Sequence, residues 1–490
     1  MKPHASLFAV VIATAFASCP VHAATHIAPI FSDHAVVQAG KPIPVWGTDS
    51  AGQSVNVTLG DQSKIAQTGA DGKWSVTFDP MQSGSPLVLK AEGSSTFSVN
   101  DVLVGEVWIC AGQSNMALPV SKAMNFDAER TAANFPDIRM LVNNHWIQCS
   151  PETVGNFSAA AYFFGREIEQ KQKTPVGLIN CSSGGTPIEL WTSTEAQQAV
   201  PEISAVLNAP PAAQFSSQAD AAQAQSDQNQ AKEVEGKKAI DVAKTGPGYL
   251  FNSRIMPLVP YAIRGVIWYQ GEANSYTTHA NIYGLQIATM IKDWRNRWGY
   301  DFSFISVQLP EIGKPQADPV ETCGRVLVRE GELQSLSLPN TGLAVLLGTG
   351  EIKSNHPVNK QEAGKRLADW ALATVYQQKD VVASGPLPES NKVDGDKITI
   401  TFSHADGLTA QGGGDLKGFA IAGSDMKFVW GTATISGNTV SVSSPDVSRP
   451  VAVRYAWASN PAEANLYNGA GLPATPFRTD TQSLTNTFMH

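Results

Sequence analysis

The chain has 490 residues, of which 42% are hydrophobic and 16% charged, and its formal net charge is −8. This composition is that of a globular protein rather than a disordered one, and the length predicts about two to four domains. The mild acidic excess argues against nucleic acid or an anionic membrane as a partner, because both require a cationic surface. The oligomeric state remains open.

The N-terminus has the pattern of a secretory signal peptide. Lys2 precedes a short apolar run that ends at Phe16, and small residues follow up to Ala23. This pattern predicts that residues 1–23 are removed and that the protein is secreted or periplasmic. The run is too short to span a bilayer. Cys19 offers the alternative of a lipoprotein attachment site, although the preceding residues fit such a site poorly.

Removal of the signal peptide leaves Cys110, Cys149, Cys181 and Cys323. An even number of cysteines in an exported protein permits one or two disulfides, and the pairing cannot be read from the sequence. Buried free thiols are an equally acceptable interpretation. The cysteine spacing does not fit a zinc site, so we predict no metal and no other cofactor.

The domain pattern changes along the chain from β to α/β and back to β. Residues 24–103 alternate apolar and polar positions between turn residues, which predicts a small β-sandwich. Residues 104–378 alternate apolar strands with helices, which predicts a doubly wound parallel sheet. Residues 379–490 are again β-rich, with a tail that could return to the α/β domain. Within the α/β domain, the polar stretch 212–245 reads as a solvated helical insertion or a mobile loop.

The α/β fold class rests on apolar strands that alternate with helical segments such as 159–171, 283–298 and 360–375. The predicted strands are 106–110, 176–180, 265–269, 304–309 and 343–347. The ligand site of such a sheet lies at the C-terminal ends of its strands.

Short segments rich in functional groups follow these strands. They are Gly112–Met116, Ser183–Thr186, Gln270–Asn274 and Asn355–Pro357. Each segment taken alone is also compatible with an ordinary turn or helix start. Together they supply a nucleophile, backbone donors and a base at one edge of the sheet, which indicates acyl-transfer chemistry.

The same segments resemble the sialate O-acetylesterase branch of the SGNH hydrolases. Gly112–Met116 resembles the nucleophile block of that family, and Ser183–Trp191 its glycine block. Ile267–Asn274 resembles the third block, and His356–Lys360 the histidine block. The likeness continues into both β-rich flanks. It implies an SGNH-type catalytic domain and a serine esterase that removes O-acetyl groups from a carbohydrate.

The resemblance also implies roles for individual residues. Ser114 corresponds to the nucleophile and His356 to the general base. The backbone N–H groups of Ser114 and Gly184 would hold the oxyanion. Gln270 lies where the wider superfamily has an asparagine donor, and it is a candidate third donor.

The chain departs from the family pattern three residues before the histidine. SGNH enzymes commonly have an aspartate there, whereas this chain has Lys353. Glu351 is a candidate for the orienting acid if the loop bends suitably. Otherwise the site is a Ser–His dyad. The absence of an orienting group would lower the rate but would not abolish the mechanism.

We expect Gly185, Asn274 and Trp268 to contact the substrate, although core packing explains Trp268 equally well. The expected partner is an acetylated carbohydrate, either an acetylated sialic acid or a plant polysaccharide such as xylan or xyloglucan. The competing hypothesis is a non-catalytic carbohydrate-binding protein on a decayed esterase scaffold, which the missing aspartate keeps open.

Overall fold

A computed structural model describes residues 24–208, 215, 217–235, 240 and 242–485. The predicted signal peptide therefore lies outside the described residues. Within the described part of the chain, no helix combines the length and apolarity needed to cross a bilayer.

The N-terminal region consists of short strands that are antiparallel except for β2, which pairs in parallel with the strand that follows the region. In β6, Trp74, Val76 and Phe78 are buried while the intervening residues are exposed, because successive side chains of a strand point to opposite faces. The strands are β1 (His26–Ile27), β2 (Val36–Gln38), β3 (Ile43–Thr48), β4 (Ser54–Leu59), β5 (Gln62–Gln67), β6 (Lys73–Phe78) and β7 (Leu87–Glu92).

One long strand, β8 (Thr96–Gly112), joins this region to the α/β domain. Its first part pairs antiparallel with β7, and its last part lies in the middle of the parallel sheet. The predicted domain boundary between residues 103 and 104 thus falls inside a continuous strand. Because the strand is shared, its C-terminal end is anchored in both sheets.

The mixed α/β class is confirmed. The central sheet contains the parallel strands β9 (Phe135–Val142), β11 (Val176–Asn180), β12 (Gly265–Tyr269), β13 (Ser303–Gln308) and β14 (Thr341–Val345) together with β8. The order is β9-β11-β8-β12-β13-β14, and β10 (His145–Cys149) pairs antiparallel with β9 at one edge. Four of the five predicted strands match within two residues at each end, and the fifth, predicted at 106–110, is the last part of the longer β8.

Strands β9 and β10 were not predicted from the sequence. β9 contains Arg139, which interrupts its apolar run. The arginine is nevertheless buried, because its guanidinium pairs with Asp101 at 2.9 Å. A charged residue inside a strand is tolerated in a core only when it is paired in this way.

Helices α3 and α10 pack against each other, and so do α8 and α9. The helices are α1 (Ser114–Ala117), α2 (Phe126–Ala132), α3 (Ala159–Gln172), α4 (Thr194–Gln198), α5 (Pro201–Leu207), α6 (Gln218–Glu235), α7 (Glu272–Ser275), α8 (Tyr283–Trp298), α9 (Gly324–Gln334) and α10 (Lys360–Thr374). α6 corresponds to the helical interpretation of the polar insertion.

The C-terminal module is built mainly from two four-stranded antiparallel sheets, β15-β16-β21-β20 and β19-β18-β22-β24. Its strands are β15 (Leu387–Asp394), β16 (Lys397–Ser403), β17 (Thr409–Ala410), β18 (Phe419–Ala422), β19 (Phe428–Trp430), β20 (Thr432–Ser436), β21 (Thr439–Ser443), β22 (Ala452–Tyr455), β23 (Leu466–Tyr467) and β24 (Phe477–Arg478).

The tail of this module lies against the α/β domain. Arg329 of α9 is fully buried and donates to the carbonyl of Ala458 at 2.8 Å. The Gln308 amide donates to the Thr475 hydroxyl at 2.8 Å. These buried contacts indicate that the module braces the catalytic sheet, since polar groups in an interior are retained where they are paired.

The cysteines Cys110, Cys149, Cys181 and Cys323 are all free thiols. Burial raises the pKa of Cys149 and of Cys181 to about 12, so these thiols stay protonated. The sequence left disulfides and buried free thiols as alternatives, and the structure has free thiols.

Candidate active site

The nucleophile candidate is presented by a sharp turn at the end of β8. Gly112 has a φ of +140°, and a Cβ at this position would lie 2.1 Å from the carbonyl oxygen of Tyr269 in β12. Only glycine permits this backbone course. Ser114 is then the first residue of α1, where a backbone N–H has no intrahelical acceptor. The turn therefore leaves both the hydroxyl and the N–H of Ser114 for a bound group.

The glycine loop after β11 lies against this turn. The Ser183 N–H donates to the carbonyl of Gly112 at 2.9 Å. Gly185 has a φ of +66°, and the Thr186 hydroxyl closes the loop by donating to the Ser183 carbonyl at 2.7 Å. The strand order places β11 next to β8, so Gly184 is brought beside the nucleophile turn.

His356 meets Ser114 although 242 residues separate them in the chain. The imidazole Nε2 lies 2.6 Å from the Ser114 Oγ. Burial lowers the pKa of His356, the nearby Asp227 opposes this shift, and Lys360 adds to it. The imidazole is therefore held in its neutral form, which accepts the serine proton. This geometry is that of a nucleophile and its general base.

A buried polar network connects the nucleophile turn to the histidine loop. The Asn115 amide donates to the carbonyl of Asn355 at 2.8 Å and to Glu272 Oε1 at 2.5 Å. The Lys360 ammonium donates to Asn115 Oδ1 and to the carbonyl of Pro357, each at 2.7 Å. Asn115, the residue after Ser114, thus holds the residue before His356. Lys360, which bonds Asn115, holds the residue after His356.

No role was predicted from the sequence for the members of this network, although three of them lie in the segments that resemble the esterase family. Asn115 follows the nucleophile, Glu272 lies in the third block, and Lys360 ends the histidine block. The signal that could have identified them is the presence of three polar side chains, an amide, a carboxyl and an amine, close to the ends of buried strands.

Burial dominates the electrostatics of the network. It lowers the pKa of Lys360 to about 7, against the opposing effects of Glu272 and Glu351. Burial also raises the pKa of Glu272, with the Arg325 guanidinium acting in the opposite direction. Charged forms are disfavoured in a site shielded from water, so burial shifts both groups toward their neutral forms.

Glu351 does not contact the imidazole in this structure. Its Oε1 accepts the backbone N–H of Val358 at 2.9 Å, which fastens the two ends of the histidine loop. No described residue accepts a hydrogen bond from His356 Nδ1. The prediction that Glu351 orients the base is therefore wrong for this geometry, because the loop directs its carboxylate to the backbone.

Gln270 is also engaged elsewhere. Its side chain is fully buried, and its Nε2 donates to Gln113 Oε1, Asn274 Oδ1 and the Thr186 carbonyl at 2.8 to 3.2 Å. Its Oε1 accepts the Tyr283 hydroxyl at 2.7 Å. Both amide protons have protein partners, so the predicted role as a third oxyanion donor is corrected to that of a brace between the nucleophile turn and the glycine loop.

Two of the expected substrate contacts belong to the interior. Trp268 is fully buried, packs edge-on against Trp191 and Trp294, and donates its indole N–H to Tyr283. Asn274 is fully buried, with its amide directed to Glu189 at 3.1 Å. The core-packing alternative is the right one for Trp268, and Asn274 has a structural partner on each side.

Gly185 borders a cavity of about 220 Å³ that is also lined by Ala273, Gln228 and His279. A larger cleft of about 1260 Å³ lies in the N-terminal β region, and neither cavity is lined by Ser114 or His356. The smaller cavity adjoins the glycine loop, so its position fits a substrate pocket better than that of the larger cleft.

Comparison with known proteins agrees with this site. Residues 104–209 and 250–372 match the family described as carbohydrate esterase, sialic acid-specific acetylesterase. The sialate O-acetylesterase of Homo sapiens is 29% identical over 498 residues, covering 88% of each chain, and that of Mus musculus is 28% identical. A crystal structure of a carbohydrate acetylesterase from Xanthomonas citri has 32% identity and a TM-score of 0.81, covering 94% of this chain and all of the other. The chain belongs to the sialic acid-specific acetylesterase family of carbohydrate esterases and is a carboxylic ester hydrolase.

Proposed function

We propose that this protein is a secreted esterase that removes O-acetyl groups from a carbohydrate through an acetyl-serine intermediate. The observation that carries the proposal is the 2.6 Å contact between Ser114 Oγ and His356 Nε2 at the C-terminal edge of the parallel sheet. The names of the relatives, which are sialate and carbohydrate acetylesterases, support acetyl groups on a sugar as the substrate class.

In the first step, His356 takes the hydroxyl proton while Ser114 Oγ bonds to the acetyl carbonyl carbon. The resulting oxyanion accepts hydrogen bonds from the N–H groups of Ser114 and Gly184. One such donor typically contributes about 3 kcal/mol to the stability of the transition state. The carbon–oxygen bond to the sugar then breaks, and the imidazolium returns the proton to the departing alcohol.

In the second step, a water molecule attacks the acetyl-serine carbonyl. His356 accepts the water proton, acetate leaves, and Ser114 recovers its proton. No described acid contacts the imidazole directly, so the reaction proceeds with a Ser–His pair whose orientation depends on the surrounding network. Loss of a directly bound acid lowers the rate of such sites without removing the mechanism.

The substrate is an acetylated sialic acid or an acetylated plant polysaccharide such as xylan or xyloglucan. Residues 1–23 act as a signal peptide, so the mature chain begins at Ala24. Sequencing the N-terminus of the exported protein tests this part, and retention of the first residues would contradict it.

The central experiment measures acetate release from acetylated sialic acid, xylan and xyloglucan by the mature protein and by Ser114→Ala. We expect release from at least one substrate and no release by the variant. The exposed Ser121→Ala, which lies outside the network, is the matched control and should behave as wild type.

A serine-reactive phosphonate separates the enzyme from a carbohydrate-binding protein on an inactive scaffold. We expect a single adduct on Ser114, detected as a mass increase on its peptide and absent from Ser114→Ala. An unlabelled protein that binds the acetylated glycans without releasing acetate would establish the non-catalytic alternative.

A further inference from the structure

The inserted helix α6 (Gln218–Glu235) lies directly on the glycine loop of the active site. A Cβ added to Gly185 would come within 2.8 Å of the Gln228 side chain. The sequence of the helix is almost entirely Ala, Gln, Ser, Asp and Asn up to residue 230, so it has no apolar stripe with which to attach to the domain. Its docking therefore depends on particular polar contacts.

Asp227 provides the innermost of these contacts. It is 3% exposed, and its Oδ2 accepts the Tyr276 hydroxyl at 2.9 Å and the Asn355 amide at 3.3 Å. Its Oδ1 accepts the amide of Gln223, one turn earlier in the same helix, at 3.0 Å. A carboxylate that is buried to this degree and pairs with no cation among the described residues is costly, so its position calls for a function.

Asn355, the partner of Asp227, directly precedes His356. The Asn355 side chain is fixed on its other side by the Arg325 guanidinium, which donates to Oδ1 at 2.6 Å. Asn355 also donates to the Tyr276 hydroxyl. The Asn355 side chain, next to the base, is thus held from α9 by a cation and from α6 by an anion.

The charges around the imidazole come from several elements. Asp227 faces it from α6 and raises the pKa of His356, whereas Lys360 of α10 lowers it. Arg325 of α9 and Glu272 of α7 lie one contact further away in the same network. Asp227 is the anion that favours a positive imidazole.

We propose that Asp227 is a positioning residue for ester hydrolysis. From the inserted helix, it supplies the negative charge that this chain lacks at position 353, where it has lysine. Through Asn355 it fixes the loop that carries His356, and through space it stabilises the imidazolium that forms when Ser114 attacks. This inference rests on the proposed function and explains how a site without an acid in contact with the base remains competent.

The test compares Asp227→Asn with wild type in the full-length mature enzyme, using acetate release as a function of pH. The amide keeps the size and one acceptor oxygen but removes the charge. We expect kcat to fall about tenfold or more with little change in KM, because the loss concerns the transition state. The acidic limb of the kcat profile should move to lower pH, since removal of the anion lowers the pKa of His356.

Asp220→Asn is the matched control, because Asp220 is buried on the same helix and bonds Ser217 at its start. It should leave the pH profile unchanged. Asp227→Glu, which keeps the charge, should restore the wild-type profile and serves as the second variant if Asp227→Asn fails to fold by circular dichroism.

A wild-type rate and profile for Asp227→Asn would overturn the inference, as would equal shifts of the profile in Asp227→Asn and Asp220→Asn. These outcomes leave the proposed function standing. Full activity of Ser114→Ala would instead remove the proposed function itself, so the two failures are distinguishable.

Discussion

The amide of Asn115 donates to the backbone carbonyl of Asn355 at 2.8 Å, which joins the residue after the nucleophile to the residue before the base. This single bond spans 240 residues of sequence and links two loops that no strand pairing connects. Fixing the reacting groups relative to each other before the substrate arrives is a large part of how enzymes lower barriers.

Asn115→Ala is expected to lower kcat about a hundredfold, since small displacements of catalytic groups have effects of that order. It should also reduce the free energy of unfolding by about 3 kcal/mol, because Lys360, Glu272 and the Asn355 carbonyl lose a buried partner. Acetate release and chemical denaturation measure the two effects. Asn134→Ala, at an exposed position before β9, is the control, and equal rates in the two variants would contradict the prediction.

Lys360→Gln is expected to move the acidic limb of the pH–rate profile to higher pH. The lysine lowers the pKa of His356, so its removal raises that pKa, and the base becomes protonated at a higher pH. Glutamine retains a donor for the Pro357 carbonyl, which limits the structural damage. The measurement is kcat/KM against pH, and a shift toward lower pH would show that the charge of Lys360 does not act on the base.

Glu351→Gln is expected to change kcat by less than about twofold, because the amide oxygen can still accept the Val358 N–H and no contact with His356 is lost. Acetate release at several pH values measures this. A loss approaching the ten-thousandfold effect of removing a directly bound triad acid would show that Glu351 orients the base in the working enzyme.

Gly112→Ala is expected to destabilise the protein by about 3 kcal/mol and to abolish activity. The added methyl group would collide with the Tyr269 carbonyl, and the φ of +140° is unfavourable for any other residue. Thermal unfolding and acetate release test this. Gly84→Ala, where nothing lies within 4 Å of the added carbon, is the matched control and should resemble wild type.

The sequence alone was sufficient for five of the parallel strands and for the residues at their C-terminal ends. Runs of buried apolar residues identify strands through their local pattern, and the turn with Ser114, the glycine loop and His356 each follow such a run. The resemblance to an esterase family depended on these same residues, and the comparisons confirm it. Strand β9 was missed because the pairing of its Arg139 with Asp101 is a long-range contact.

Only the tertiary structure decided which polar groups act on His356. Glu351 is close to His356 in sequence but is turned toward Val358, whereas Asp227 is more than a hundred residues away and lies beside the loop. Gln270 and Trp268 belong to the predicted third block, but hydrogen bonds to protein groups occupy the Gln270 amide and Trp268 is packed in the core. Local pattern determines strands because they depend on near neighbours, but the partners of a side chain depend on where distant segments meet, and that is fixed only when the sheet and its insertions are assembled.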